Sequence, residues 1–367
     1  MNHYSEHMKG IPCSRITSLR AKHVRMPLKE QFETAKRSAT SSDAVIVELT
    51  TENGITGFGE ATPVKYVTGE TVESVISAVN DAEHVISGQD VRLAPELSLN
   101  LKATLPDSPG ARAAIEMSML DTTGRLSGKP SYELFGGSPR SLETDITIPI
   151  VPFEHAGELA AMASAKGFRQ FKVKVGCGNA DEDLARAEAI SRAVPECSLV
   201  VDANQGFTPE EAVSFIGRLK RTGAAIAIFE QPVDRYDIEG IAYVTQNVDV
   251  PVFADESACS VGDVDMLGKS RSVSGINIKL MKSGIFEAME MLVRCRTLGL
   301  SSMLGCMIEP RVGITAAVHL ACIFDNLCHF DLDADLLLAG ECSGGFVREG
   351  AFVSPVKAPG LDNGYKE

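Results

Sequence analysis

Five short apolar segments recur roughly every 26 residues through the second half of this 367-residue chain, each with a lysine or a carboxylate at or next to its end. They are Phe171-Lys172-Val173-Lys174-Val175, Leu199-Val200-Val201-Asp202, Ile226-Ala227-Ile228-Phe229-Glu230, Val252-Phe253-Ala254-Asp255 and Gly275-Ile276-Asn277-Ile278-Lys279. A strand, a helix and two loops take about that many residues. The spacing therefore suits repeated βα units closing into a (β/α)8-type barrel of the α/β class, in which reacting groups sit at strand C-termini.

Such a barrel takes about 200 to 250 residues and leaves enough chain for one more compact unit. Residues 14–62 read as β-rich: Ala44-Val45-Ile46-Val47-Glu48-Leu49 alternates, Asn53-Gly54 turns, and Ile55-Thr56-Gly57-Phe58-Gly59-Glu60 returns as a hairpin partner. From Glu70 the apolar spacing turns helical, and 111–126 carries a 3.6-residue period. We expect an α+β domain over 14–142 and the catalytic barrel over 143–340, from a first strand near 144–150 to a last near 328–332. The tail, 341–367, is expected to return to the first domain.

The net charge of −14 argues against nucleic acid, which needs a concentrated basic face. No run of about 18 uninterrupted apolar residues supports a membrane span, and the first dozen residues lack a signal-peptide core. The nine cysteines are scattered without a Cys-x-x-Cys pair and read as reduced thiols in a cytoplasmic protein, not as zinc ligands.

Asp202, Glu230 and Asp255 are single acidic residues ending apolar strands. Three converging carboxylates repel one another unless a cation neutralises them, and oxygen-only ligands favour Mg²⁺ or Mn²⁺. Lys172 and Lys174 lie two apart on a strand and so share a face. Lys279 ends the sixth barrel strand, almost opposite the second. A lysine beside a divalent cation has its pKa lowered and becomes a usable base. Two bases facing each other across a chelated carboxylate specify removal of an α-proton from one face and its return on the other, a racemisation or epimerisation.

These segments form a known pattern. Lys172-Val173-Lys174, Asp202-Ala203-Asn204-Gln205-Gly206, Glu230-Gln231-Pro232, Ala254-Asp255-Glu256-Ser257 and Asn277-Ile278-Lys279-Leu280-Met281-Lys282 occur in order. From about residue 16 to the C-terminus the chain resembles the enolase superfamily, in its muconate-lactonizing-enzyme subgroup. That resemblance implies an N-terminal capping domain over the barrel, Mg²⁺ held by the three carboxylates, Lys174 and Lys279 as acid/base lysines, and Lys172 as electrostatic partner of the enediolate. The finer resemblance is to dipeptide epimerases of the L-Ala-D/L-Glu type. It implies Asp331 and Asp333 of Asp331-Leu332-Asp333 on the substrate ammonium, Cys306 and Thr147 against the substrate, and Arg37, in a capping loop, on the glutamate side chain.

Read without the resemblance, Asp331 and Asp333 would cap the following segment, 334–338. Glu256, following a ligand, should point the other way by alternation, and His319 reads as a satisfied structural histidine. The expected partner is a dipeptide, with no nucleic acid or membrane, in a protein able to form homo-oligomers. Alternatives are hydrophobic or cationic dipeptides, N-acylamino acid racemase, o-succinylbenzoate synthase and muconate cycloisomerase, since all use the same lysines and metal. A non-catalytic binder would have no use for opposed lysines, and an acid-sugar dehydratase usually has His where Lys279 stands.

Overall fold

A computed structural model of the protein describes residues 2–34, 37–340 and 344–362. Its N-terminal sheet is antiparallel, in the order β1 (Ile16–Thr34), β2 (Arg37–Thr51), β3 (Thr56–Ala61). The β2–β3 turn carries Gly54 at φ 74°, as an Asn-Gly hairpin requires. Gly57 and Gly59, on one face of β3, let the helix Pro109–Ser127 lie directly on the sheet: a Cβ on Gly59 would sit 1.8 Å from the Ala114 carbonyl oxygen.

The β1–β2 pair runs much further than the expected hairpin. It keeps register from Leu19↔Leu49 to Pro27↔Ser41 and resumes at Phe32↔Ala39, so residues 28–31 bulge out of the ladder. Proline has no N–H to give to a ladder, and after Pro27 the chain turns to the barrel instead. Ala339 N–H donates to the Pro27 carbonyl at 2.8 Å, and Lys29 Nζ donates to the Leu336 carbonyl at 2.8 Å. The described part of the stretch read as a loop around Arg37 is thus strand, with Phe32 paired to Ala39 and Thr34 to Arg37.

After a short strand, β4 (Leu142–Glu143), come eight parallel strands: β5 (Ile146–Ile148), β6 (Gln170–Lys174), β7 (Ser198–Asp202), β8 (Ile226–Glu230), β9 (Val252–Ala254), β10 (Gly275–Ile278), β11 (Ser301–Leu304) and β12 (Leu327–Phe330). The two edges meet where Asp145 N–H donates to the Phe330 carbonyl at 3.0 Å. A helix of nine residues or more follows each strand except the last, which has only the single turn Ala334–Leu337. In place of an eighth long helix the chain makes β13 (Phe346–Glu349) and β14 (Phe352–Pro355), and β14 pairs with β4.

Period-2 alternation sets what the barrel contains. Phe171 and Val173 of β6 point outward into the large core, whereas Val200, Ile228, Phe253 and Met303 form a separate buried apolar cluster. Val200, Ile228 and Phe253 each lie two residues before a carboxylate, so this cluster is the floor beneath the acidic groups.

Candidate active site

The strand register brings the singled-out residues together. Thr147 lies beside Lys172, Lys174 beside Asp202, and Asp202 beside Glu230 on adjacent strands. Asp255 follows β9 directly and Lys279 follows β10. Together with Asp331, Asp333 and Cys306, Thr147, the three lysines and Asp255 line a cavity of about 60 Å³. The N-terminal part of the chain closes it with Phe32, Val64, Tyr66 and Val67.

Lysine ammoniums and carboxylates interlock here. Lys172 Nζ lies 2.6 Å from Asp331 Oδ2, 2.9 Å from Glu230 Oε2 and 3.1 Å from Asp202 Oδ2. Lys174 Nζ reaches Asp202 Oδ2 at 2.5 Å, and Lys279 Nζ reaches Asp255 Oδ2 at 2.7 Å. The two outer lysines therefore stand on β6 and after β10, four strands apart in an eight-stranded barrel, with the carboxylates between them.

The turns after the carboxylates are backbone specialties. Asn204, Gln205 and Gln231 have φ of 42°, 69° and 35°, a region that costs most side chains energy and clusters at functional sites. Gln231 holds its turn by accepting at Oε1 from the N–H groups of Asp255 and Ser257, at 2.9 and 3.1 Å.

A divalent cation fits this donor set. Glu230 Oε2 is buried without a hydrogen bond, although the Lys172 ammonium lies 2.9 Å away, and all the acidic donors are hard oxygens. The one Lys172 ammonium is shared among Glu230, Asp202 and Asp331, so it leaves the buried carboxylate charge under-compensated, which a further cation would take up.

Asp333 occupies the N-cap position of Ala334–Leu337 but makes no capping bond; its Oδ2 accepts the Thr147 N–H at 2.6 Å across the barrel. The capping alternative is thereby overturned. Cys306, Asp331 and Asp333 have ligand atoms within 4.8 Å of one another. Arg37 opens β2, and its side chain lies outside the described residues.

Residues 16–136 match the family "Mandelate racemase / muconate lactonizing enzyme, N-terminal domain", and residues 154–363 match "Enolase C-terminal domain-like". The L-Ala-D/L-Glu epimerase of Clostridium acetobutylicum is 36% identical over 343 residues, 92% of this chain and 96% of that protein. The chain belongs to the mandelate racemase / muconate lactonizing enzyme family. Among solved structures, a dipeptide epimerase from Enterococcus faecalis complexed with Mg and L-Leu-L-Tyr superposes with a TM-score of 0.91 at 36% identity, covering 95% of this chain and 99% of that one. The substrate-liganded L-Ala-D/L-Glu epimerase from Bacillus subtilis gives 0.89 at 34% identity, covering 95% and 98%.

The electrostatics of this family member are dominated by mutual neutralisation. Burial opposes the charge on Asp202, yet Lys174 and Lys172 hold its pKa down at about 2, and the same contest, with Lys279 and Lys282, lowers Asp255. Glu230 goes the other way, pushed up by burial and by Asp202. Burial alone would lower Lys172 and Lys279, but the surrounding carboxylates outweigh it and raise both. A lowered lysine therefore arises here only when carboxylate charge is spent on another cation.

Glu256 departs from its expected direction. β9 ends at Ala254, so alternation no longer applies, and Glu256 lines the cavity beside Asp255 with its Oε1 3.4 Å from Asn204 Nδ2. Burial and the charges of Asp255 and Asp202 push it up to about 7. His319 is buried, but among the described residues neither ring nitrogen has a hydrogen-bond partner, so it is not the satisfied histidine expected. Asn204, Asn277 and Lys282 sit in the quoted motifs without a reading of their own, yet all three contact the carboxylates.

Proposed function

We propose that this chain is a Mg²⁺-dependent dipeptide epimerase that inverts the α-carbon of the C-terminal residue, with L-Ala-L-Glu and L-Ala-D-Glu the interconverting pair. The observation that carries the reading is the placement of Lys174 and Lys279 on opposite flanks of three carboxylates, in one cavity with Asp331 and Asp333. Asp202, Glu230 and Asp255 are the ligands for Mg²⁺, or Mn²⁺. When bound, the metal supplies positive charge that acidifies the proton α to a coordinated carboxylate. One of Lys174 and Lys279 enters the turnover neutral and takes that proton, and the other, as an ammonium, gives one back to the opposite face. Lys172 provides fixed positive charge to the substrate carboxylate as the proton leaves. Asp331 and Asp333 take the terminal ammonium, with Thr147 and Cys306 against the peptide, and Arg37 takes the glutamate carboxylate.

A second reading, a hydrophobic dipeptide, is favoured by one observation: the described cavity wall includes Phe32, Val64, Val67, Met307, Ile308 and Leu337. The Asp pair counts against N-acylamino acids and cycloisomerase substrates, which bring no free ammonium. We assign residues 14–142 to the capping domain and 143–340 to the barrel, with the tail returning to the former. In support, Gly360 N–H donates to the Lys129 carbonyl and its own carbonyl accepts from Ser131 N–H, both at 2.9 Å. Work on murein peptides in the cytoplasm fits the free state of all eight described cysteines, and among the described residues no helix is long and apolar enough to cross a membrane. The acidic net charge fits a partner that is not nucleic acid. Self-association into a closed homo-oligomer would follow the commonest habit of soluble enzymes.

The test is to incubate the protein with Mg²⁺ in D₂O and a library of L,L-dipeptides, following α-proton exchange by mass spectrometry. Exchange confined to Ala-Glu-like members, and lost for them in Arg37→Ala, is the expected outcome. Exchange on hydrophobic members selects the second reading. No exchange on any dipeptide refutes the epimerase.

A further inference from the structure

The three proposed ligands are held in one pattern. Each has one oxygen fixed by a hydrogen bond from the protein and the other turned to a cavity-lining lysine. Asp202 Oδ1 accepts the Asn204 N–H at 3.0 Å, and Oδ2 faces Lys174 and Lys172. Glu230 Oε1 accepts from Asn277 Nδ2 at 2.7 Å, and Oε2 faces Lys172. Asp255 Oδ1 accepts from Lys282 Nζ at 2.7 Å, and Oδ2 faces Lys279.

Lys282 differs from the other three lysines. Its ammonium also donates to the Asp255 carbonyl oxygen and, at 3.0 Å, to the Asn277 carbonyl oxygen, which uses all three of its protons. It is buried and does not line the cavity, so it has neither a proton nor an approach for substrate. What it touches are the Asp255 ligand and the backbone of Asn277, the residue that holds Glu230. One buried ammonium thus ties together two of the three carboxylates.

We propose that Lys282 is a positioning residue for the metal: with Asn277 and the Asn204 N–H it fixes which oxygen each carboxylate offers, making all three one-oxygen ligands. The inference rests on the assignment of Asp202, Glu230 and Asp255 as metal ligands. It runs against simple charge counting. A cation beside a dication repels it, so on Coulomb's law alone removing Lys282 should tighten metal binding. Positioning predicts the reverse, since loss of a group that orients a ligand typically costs about 10- to 100-fold in metal affinity.

The experiment is titration of the whole protein with Mn²⁺ alone, read by electron paramagnetic resonance, for wild type, Lys282→Met and Asn277→Leu, with circular dichroism as the check on folding. Wild type is expected to bind one Mn²⁺ per chain, and Lys282→Met to bind it about 10- to 100-fold more weakly with a broadened bound spectrum. Should Lys282→Met not fold, Asn277→Leu carries the same expectation. Unchanged or tighter Mn²⁺ binding in the folded variant overturns the positioning role and leaves the metal assignment standing. Failure of wild type to bind Mn²⁺ overturns the metal assignment and this inference with it.

Discussion

At the scale of single residues, the two flanking lysines are not interchangeable. Lys174 is anchored on Asp202 and Lys279 on Asp255, so each can address only its own face of a substrate held between them. Lys174→Ala and Lys279→Ala should each lower net epimerisation by about 10²- to 10⁴-fold, the usual loss for a positioned acid or base. Each variant should still exchange the α-proton of the one epimer whose proton faces the surviving lysine. Deuterium incorporation measured separately from L,L and L,D substrate checks this, and equal loss from both epimers would refute a division of labour. These lysines were legible in the sequence because a strand repeats every two residues, so Lys172 and Lys174 had to enter the same interior as the strand-end carboxylates. Lys282 and Asn277 were not legible in the same way. Asn277 on β10 reaches past β9 to Glu230 on β8, and nothing local shows that an ammonium three residues past Lys279 folds back onto Asp255.

At the scale of elements, the capping sheet and the barrel meet through two buried acids, Glu60 at the end of β3 and Glu309 after β11. Glu60 accepts the Gly313 N–H at 3.0 Å and the Thr62 hydroxyl at 3.0 Å, while Glu309 accepts the Met307 N–H at 2.8 Å. Both oxygens crowd Gly313: a Cβ there would lie 2.0 Å from Glu309 Oε2 and 3.2 Å from Glu60 Oε1. Burial raises Glu60 from 4.5 to about 8 against those donors, and burial with the charge of Glu60 raises Glu309 as well. The folded state therefore binds a proton that the unfolded chain releases near its ordinary carboxyl pKa. That contribution is complete below about 4.5 and is lost as pH rises through about 8, at up to about 1.4 kcal/mol per pH unit for one proton. The melting temperature of Glu60→Gln should fall less steeply than that of wild type as pH is raised from about 5 to about 8. Parallel melting curves across that window would show that the folded state holds no proton on Glu60 above the ordinary carboxyl range. No sequence pattern joins residues 249 positions apart, and the long β1–β2 arm was equally hidden, since its bulge after Pro27 interrupts the alternation by which strands are read. The barrel strands, short and regularly spaced, were placed within a few residues.

At the scale of the whole molecule, the same carboxylates that would serve catalysis load the fold with charge. Asp202, Glu230 and Asp255 are buried inside the barrel, drawing two lysines from β6 and two from the turn directly after β10. Charged pairs taken out of water return little net stability, because desolvation offsets most of their attraction. A cation that binds only the folded chain adds to stability by mass action, about 2.7 kcal/mol at a hundredfold excess over its dissociation constant. Mg²⁺ should therefore raise the melting temperature by a few degrees, at constant ionic strength maintained with a monovalent salt. The rise should vanish in Asp255→Asn, which keeps the shape but loses the charge of one ligand. Because the site is assembled from strands spread over the whole barrel, with Asp331 and Thr147 at its closing edge, the gain should appear in a single cooperative transition. A Mg²⁺ effect on an early, partial transition alone would place the ion outside the barrel, and an equal rise in Asp255→Asn would show that it does not bind through this carboxylate.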